Sequence, residues 1–383
     1  MKKIIFIFLG ILVSAMFLAY LFAPRYIQKA LIYQTADIDD YKIFDNDTVK
    51  AGNYQPWKVS SKYNTHKFSD KAIKNFIDYK SVAFVVIQHD SLLQEDYWNG
   101  YSNQSLSNSF SMAKSIVGLL IGIAIDEGKI KNVDQAVVDF LPEFNTPELK
   151  GITIKNLLTM SAGFDVSEAY SSLFNITTEA YYGENLYKLS TGLKVKDKPG
   201  TMFNYVSLES QLLSFIIEKA CGMSISKYAS EKLWKPIGAK YDALWSLDKK
   251  GGNEKAFCCF NSNAPDFARI GQLVLNHGKW NDLQVVSDTF LTQALQVDDF
   301  LKDESNENVT YYGYQWWILN YKDTKIPYCR GLLGQYIFVI PSKDAVVVRL
   351  GEKRSDKNRQ HATEDVFLWL DAAWEIIGES NHH

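Results

Sequence analysis

Histidine and cysteine are scarce in this chain, and neither is arranged to hold a metal. The six histidines are scattered, with His382 and His383 at the very end, and none pairs at helical ligand spacing. The four cysteines, Cys221, Cys258, Cys259 and Cys329, also lack metal-site spacing. This argues against a metal-dependent hydrolase, and no cofactor is implied. Neighbouring Cys258 and Cys259 rarely bridge each other, so buried thiols are expected; a link to Cys329 stays open in an oxidising compartment. Strong charge is missing as well. A formal net charge of −3 gives no reason to expect nucleic acid as a partner. Internal repeats and low-complexity tracts are absent, and the composition fits one sizeable globular enzyme.

Against that background stands Ser111-Met112-Ala113-Lys114, which opens onto the apolar run Ile116 to Ile125. A run apolar on every side predicts a helix buried in a core. The polar stretch Asn103 to Asn108 ends just before it, which places Ser111 in the first turn with Lys114 one turn later on the same face. Free backbone N–H groups and the helix dipole favour negative charge there, which suits an attacking oxygen and a tetrahedral oxyanion. A buried amine one turn away is placed to take the hydroxyl proton. The bland alternative is a serine N-cap and a lysine that reaches to solvent. Ser-x-x-Lys also recurs at Ser224 to Lys227 and Ser246 to Lys249, but the first starts a surface helix and the second runs into a turn. Only the Ser111 copy is joined to a core helix.

The turn signal Lys198-Pro199-Gly200-Thr201 leads into Tyr205-Val206-Ser207 and then a helical pattern through Gly222. Tyr205 therefore sits on a loop ahead of a helix, where loops carry function. It reads either as an aromatic packing residue or as a phenol that serves as general base beside a lysine.

The order Ser-x-x-Lys, Tyr-x-Ser, then a glycine-rich strand resembles the penicillin-recognising serine hydrolases: DD-peptidases, class C β-lactamases and related esterases. The resemblance is strongest to the 6-aminohexanoate-dimer (nylon oligomer) hydrolase branch. It is carried by "NSFSMAKSIVGLLIGIAIDEGKI", "ITIKNLLTMSAGF", "PGTMFNYVSLESQLLSFIIEKACG", "APDFARIGQLVLNHGKW", "YGYQWW" and "GLLGQYIFVIPSKDAVVVRL", in order from Asn108 to Leu350.

The resemblance implies that Ser111 is the acylated nucleophile, that Lys114 holds it and shuttles its proton, and that Tyr205 is the general base that later protonates the leaving group. Ser207 stands where many relatives carry asparagine, as a hydrogen-bond donor to substrate. The third motif departs from the pattern. Where relatives carry Lys-Thr-Gly or His-x-Gly, this chain reads Tyr328-Cys329-Arg330-Gly331-Leu332-Leu333-Gly334. Recognition of a β-lactam carboxylate is thereby put in doubt, with Arg330 as the only nearby cation to stand in. The Leu332 N–H is expected as the second oxyanion donor beside that of Ser111. Glu168 and Tyr170, after the turn Ser161-Ala162-Gly163, are expected to border the site. Arg269 reads as an ion-pair partner of Asp266, and Trp316-Trp317 as a packing element with one ring near the cleft.

The implied activity is hydrolysis of a small-molecule or peptide-like amide or ester through an acyl-enzyme. A β-lactamase or DD-peptidase is the alternative. A non-catalytic penicillin-binding-like module is a further one, disfavoured by the intact Ser111, Lys114 and Tyr205.

The apolar segment Ile4 to Ala23 follows Met1-Lys2-Lys3 and carries no charged residue. At about 1.5 Å rise per residue it spans roughly the 30 Å hydrocarbon core. The reading is an uncleaved anchor over residues 1–25, with a cleavable signal peptide as rival; the end Tyr20-Leu21-Phe22-Ala23-Pro24 lacks the small residues of a cleavage site. The enzyme then faces the extracytoplasmic side of the cell membrane, or is secreted if the segment is cleaved.

Residues 26–65 read as a stalk or irregular wrap, and 66–380 as the hydrolase domain with a mostly helical insertion over roughly 130–310. A short helix from Ser69 to Tyr79 precedes a hairpin over Val82–Gln88 and Leu92–Trp98. A second hairpin covers Tyr336–Ile340 and Ala345–Leu350, before a helix from His361 to Ile377. The expected fold is therefore α+β: an antiparallel sheet assembled from both ends of the soluble chain, with flanking helices and an inserted helical region.

Overall fold

The computed structural model describes residues 2–169, 172–297 and 300–378, with only part of the side chains in the helix Lys2–Phe22. Its centre is a seven-stranded sheet in the spatial order Trp317–Tyr321, Thr324–Gly331, Gln335–Ile340, Ala345–Gly351, Ser81–Gln88, Ser91–Tyr97, Lys58–Val59. All neighbours are antiparallel except the last pair, in which Lys58 lies beside Ser91. Strands from the two ends of the domain meet where Val346 pairs with Ile87. The first hairpin turns at His89 and Asp90, whose φ angles of 51° and 54° give the left-handed two-residue turn that matches strand twist.

Strand Ser81–Gln88 is buried along nearly its whole length, because helices cover both faces of the sheet. That explains a continuous Val-Ala-Phe-Val-Val-Ile run instead of alternation. On one face lies the helix Ala264–Leu275, so close that a Cβ at Gly271 would meet Val346 Cγ1 at 2.5 Å. On the other, Asp365–Ile377 and Asp70–Asp78 pack together, with Phe76 stacked on Trp369.

Met112–Asp126, buried from Met112 through Ala124, leads into the inserted region, which holds the helix Ser207–Cys221. It also contains strands. Ala243–Ser246, Phe260–Ser262 and Ser107–Asn108 form a second, four-stranded sheet with Asn46–Val49. That last strand belongs to the segment 26–65, which lies against the domain: Ala30, Ile38, Asp40 and Val49 are buried. Arg269 pairs with Asp266 at 2.9 Å, both buried, and also donates to the Ile237 and Gln55 carbonyls. The guanidinium thus ties the wrap to the core.

Two expectations need correction or restriction. Cys258 and Cys259 are joined as a neighbouring-residue disulfide, while Cys221 and Cys329 remain thiols. A left-handed φ of 65° at Cys259, just after the turn Lys255–Cys258, brings together two side chains that extended backbone would hold apart. At the N-terminus, Lys2–Phe22 is one helix, yet among the described residues no helix is long and apolar enough to cross a membrane.

Candidate active site

The site forms where the head of the core helix meets the strand Thr324–Gly331. Ser111 stands immediately before Met112, with φ −64° and ψ −5°, and its carbonyl already accepts from the Lys114 N–H. Phe110, just ahead, has a φ of 43°, a conformation rarely adopted by a bulky residue, and its N–H is held by Asn108 Oδ1 at 2.9 Å. Strain of this kind persists where the surroundings over-determine it, commonly at functional positions. Gly331 explains part of the glycine-rich motif: a Cβ there would lie 2.2 Å from the Ser109 carbonyl, so only glycine lets the strand approach the helix head.

Lys114 is 1% exposed. Its Nζ donates to Ser111 Oγ at 3.0 Å and to the Phe257 carbonyl at 2.8 Å. It also lies 5.1 Å from the centre of the Tyr205 ring. Tyr205 packs against Trp317, ring centres 5.4 Å apart, and against Tyr312 at 6.0 Å. The three residues singled out in the sequence therefore converge. By contrast, Ser224 caps its helix by accepting from the Lys227 N–H, and Ser246 donates to Asn46 Oδ1 within the second sheet.

The other expected residues fall as follows. Arg330 lies on the Trp317 ring, 3.4 Å from its centre, and donates to the His361 carbonyl. Leu332 follows the strand in a short turn, and among the described residues neither its N–H nor that of Ser111 has an acceptor. Ser207 starts its helix by donating to Glu168, from N to Oε1 at 2.5 Å and from Oγ to Oε2 at 3.1 Å. Tyr170 lies outside the described residues. Trp316 and Trp317 are both buried, and Trp317 is the ring of that pair that meets Tyr205.

Three clefts meet here. A small one of about 120 Å³ is lined by Ser111, Tyr205, Arg330, Gly331, Leu332 and Arg354. A second of about 530 Å³ runs past Tyr205 and Glu168 to Asp303 and Glu304. The third, about 720 Å³, opens from Ser111 and Leu332 toward Phe110, Tyr181 and Phe257. Sequence reasoning missed Arg354, which no motif marks, and so wrongly left Arg330 as the only cation. It also missed the Phe257 carbonyl, a backbone atom that no residue type announces. Behind Ser207 it missed Glu209, fully buried, whose Oε1 has no partner. Burial pushes the Glu209 carboxyl well above its usual range, against the Ala162 N–H that it accepts and with help from the Glu168 charge.

A half-buried serine beside a buried lysine at the head of a core helix, facing the last strands of an antiparallel sheet, defines a class of chain: the penicillin-recognising fold. The chain belongs to the Beta-lactamase family, whose model matches residues 70–368. It is 27% identical over 293 residues to the 6-aminohexanoate-dimer hydrolase of Paenarthrobacter ureafaciens, covering 70% of this chain and 71% of that protein. A solved structure provisionally assigned as a 6-aminohexanoate-dimer hydrolase from Bacillus anthracis superposes with a TM-score of 0.78 at 20% identity, covering 89% of this chain and 92% of that one. A family VIII carboxylesterase superposes with a TM-score of 0.63 at 16% identity, covering 80% and 96%.

Proposed function

We propose that this protein is a serine hydrolase that cleaves an amide or ester bond through an acyl-enzyme on Ser111. The observation that carries the reading is the 3.0 Å contact from the buried Lys114 Nζ to Ser111 Oγ, where Ser111 lines two clefts and Tyr205 joins the smaller of them to a third. Ser111 Oγ attacks the substrate carbonyl carbon as its proton passes to Lys114. The carbonyl oxygen becomes an oxyanion facing the free N–H groups of Ser111 and Leu332. Tyr205, over the lysine, relays the proton to the leaving nitrogen or oxygen, and the carbon–heteroatom bond breaks. Water then attacks the acyl-enzyme by the same route and releases the acid.

Ser207 and Arg330 are proposed as substrate-facing groups with unequal freedom. Glu168 already takes both Ser207 donors, and Arg330 is held on Trp317. A β-lactamase or DD-peptidase reading is favoured by one observation: Arg354 joins Arg330 on the small cleft and has no ion-pair partner among the described residues. That supplies a cationic wall for a carboxylate. Labelling the protein with a fluorophosphonate and mapping the modified residue tests the hydrolase reading; a probe that ignores Ser111 overturns it.

We also propose, on the charge-free run Ile4 to Ala23, that the chain is held at the cell membrane with its hydrolase domain on the extracytoplasmic side.

A further inference from the structure

The largest cleft at the nucleophile is distinct from the two that Tyr205 borders, and this divides the substrate. Tyr205 lines both the small cleft and the acidic one, but among the described residues it does not line the 720 Å³ cleft. A group that hands its proton to the departing atom must face the leaving half of the substrate. The cleft that contains Ser111 and Leu332 without Tyr205 therefore faces the half that stays on the serine.

That cleft is rich in carbon. Its walls include Phe110, Leu173, Tyr181, Phe257, Leu332 and Leu333. Most of its hydroxyls are already engaged within the protein: Thr177 Oγ1 donates to Asn175 Oδ1 at 2.8 Å, Thr178 Oγ1 to the Ser172 carbonyl at 2.7 Å, and Tyr181 to Asp40 at 2.7 Å. Tyr182 Oη is buried without a partner. Ala30, Gln34, Thr35 and Ala36, in and just after the helix Arg25–Tyr33, add to the wall, and Ser172, Ser207, Cys258 and the Asp356 carboxylate complete it. A volume of about 720 Å³ far exceeds what an acetyl group fills and falls in the range of sites that enclose whole small molecules.

We propose that this cleft is the acyl-binding site and that the acyl half of the substrate is an extended hydrocarbon chain of medium length. The proposal rests on the roles given above to Ser111 and Tyr205. Each methylene that leaves water for such a wall raises kcat/KM up to about fourfold.

The test is a series of p-nitrophenyl esters, acetate, butyrate, octanoate and decanoate, given below their micelle concentrations to the full-length chain. The expected result is a rise in kcat/KM of about tenfold or more from butyrate to octanoate, carried mainly by KM. Leu173→Asp, which sets a charge in the wall, should cut the octanoate-to-butyrate ratio about tenfold. Leu173→Trp, which fills the cleft without charge, should cut it as well, so the result does not hang on one variant. A flat or falling series with Ser111 still acylated by acetate overturns this inference and leaves the hydrolase reading in place. No acylation of Ser111 by any ester overturns both.

Discussion

Lys114 Nζ is anchored by the Phe257 carbonyl at 2.8 Å, 143 residues further along the chain, while it faces Ser111 Oγ at 3.0 Å. The amine is thus fixed by backbone rather than by a carboxylate. A carbonyl orients it toward Ser111 Oγ without pairing it to a full negative charge.

Ser111→Ala should abolish fluorophosphonate labelling while thermal unfolding stays close to that of the parent. Lys114→Met, which keeps the alkyl stem and removes the amine, should lower kcat by about 10² to 10⁴. Intact-mass analysis followed by peptide mapping reads the first effect, and steady-state ester hydrolysis the second. Label on Ser224 or Ser246 would falsify the assignment.

Tyr205→Phe removes only the hydroxyl and keeps the ring against Trp317. Turnover should fall by about a hundredfold or more, with KM changed only a few-fold, because the lost group acts on charge that develops in the transition state. Unchanged kcat would take Tyr205 out of the mechanism.

Arg354 lines the small cleft with Tyr205, the side proposed above for the leaving group. A charge-assisted contact contributes about 1.5–3 kcal/mol, or roughly ten- to a hundredfold in affinity. The parent should therefore favour 4-acetoxybenzoate over the neutral 4-acetoxybenzamide, and Arg354→Ala should erase the preference. Equal kcat/KM for the two esters in the parent would show that the cleft does not receive a carboxylate.

Lys255 gives the fold a pH dependence. Its Nζ is buried and donates to the Leu247 carbonyl at 2.7 Å. Burial lowers its ammonium to about 7 from 10.5, against the nearby Asp248 charge. Between those values the unfolded chain binds the proton and the folded chain does not. The contribution to stability therefore rises with pH across that window, by about 1.4 kcal/mol per unit, and is lost as pH falls through the folded value. Lys255→Met should remove that slope in urea titrations run from pH 7 to 10. A variant with the parent's slope would assign the effect to another group.

If Ile4 to Ala23 anchors the chain, the protein should stay with membranes through high salt and alkaline carbonate. Its N-terminal sequence should be intact, and its domain open to protease from the outer face. A soluble form that starts near Pro24 would show cleavage instead.

Much of the site was legible because it is local. Ser111 and Lys114 lie one helical turn apart, and an all-apolar run fixes the helix that carries them, so periodicity alone placed both on one face. The two hairpins and the helix Asp70–Asp78 were equally readable from apolar runs and turn residues, but the C-terminal helix begins at Asp365 and not at His361, because Ala362–Thr363 pairs with Asn358–Arg359 as a short hairpin ahead of it. Distant partners were not. The Phe257 carbonyl and Arg354 reach the serine through chain reversals that no residue pattern encodes, and the Cys258–Cys259 disulfide depends on a left-handed turn at Cys259. Burial decided the rest. A sequence shows that Glu209 and Lys255 can ionise, but only the packed interior, by withdrawing water from each, decides which form they hold.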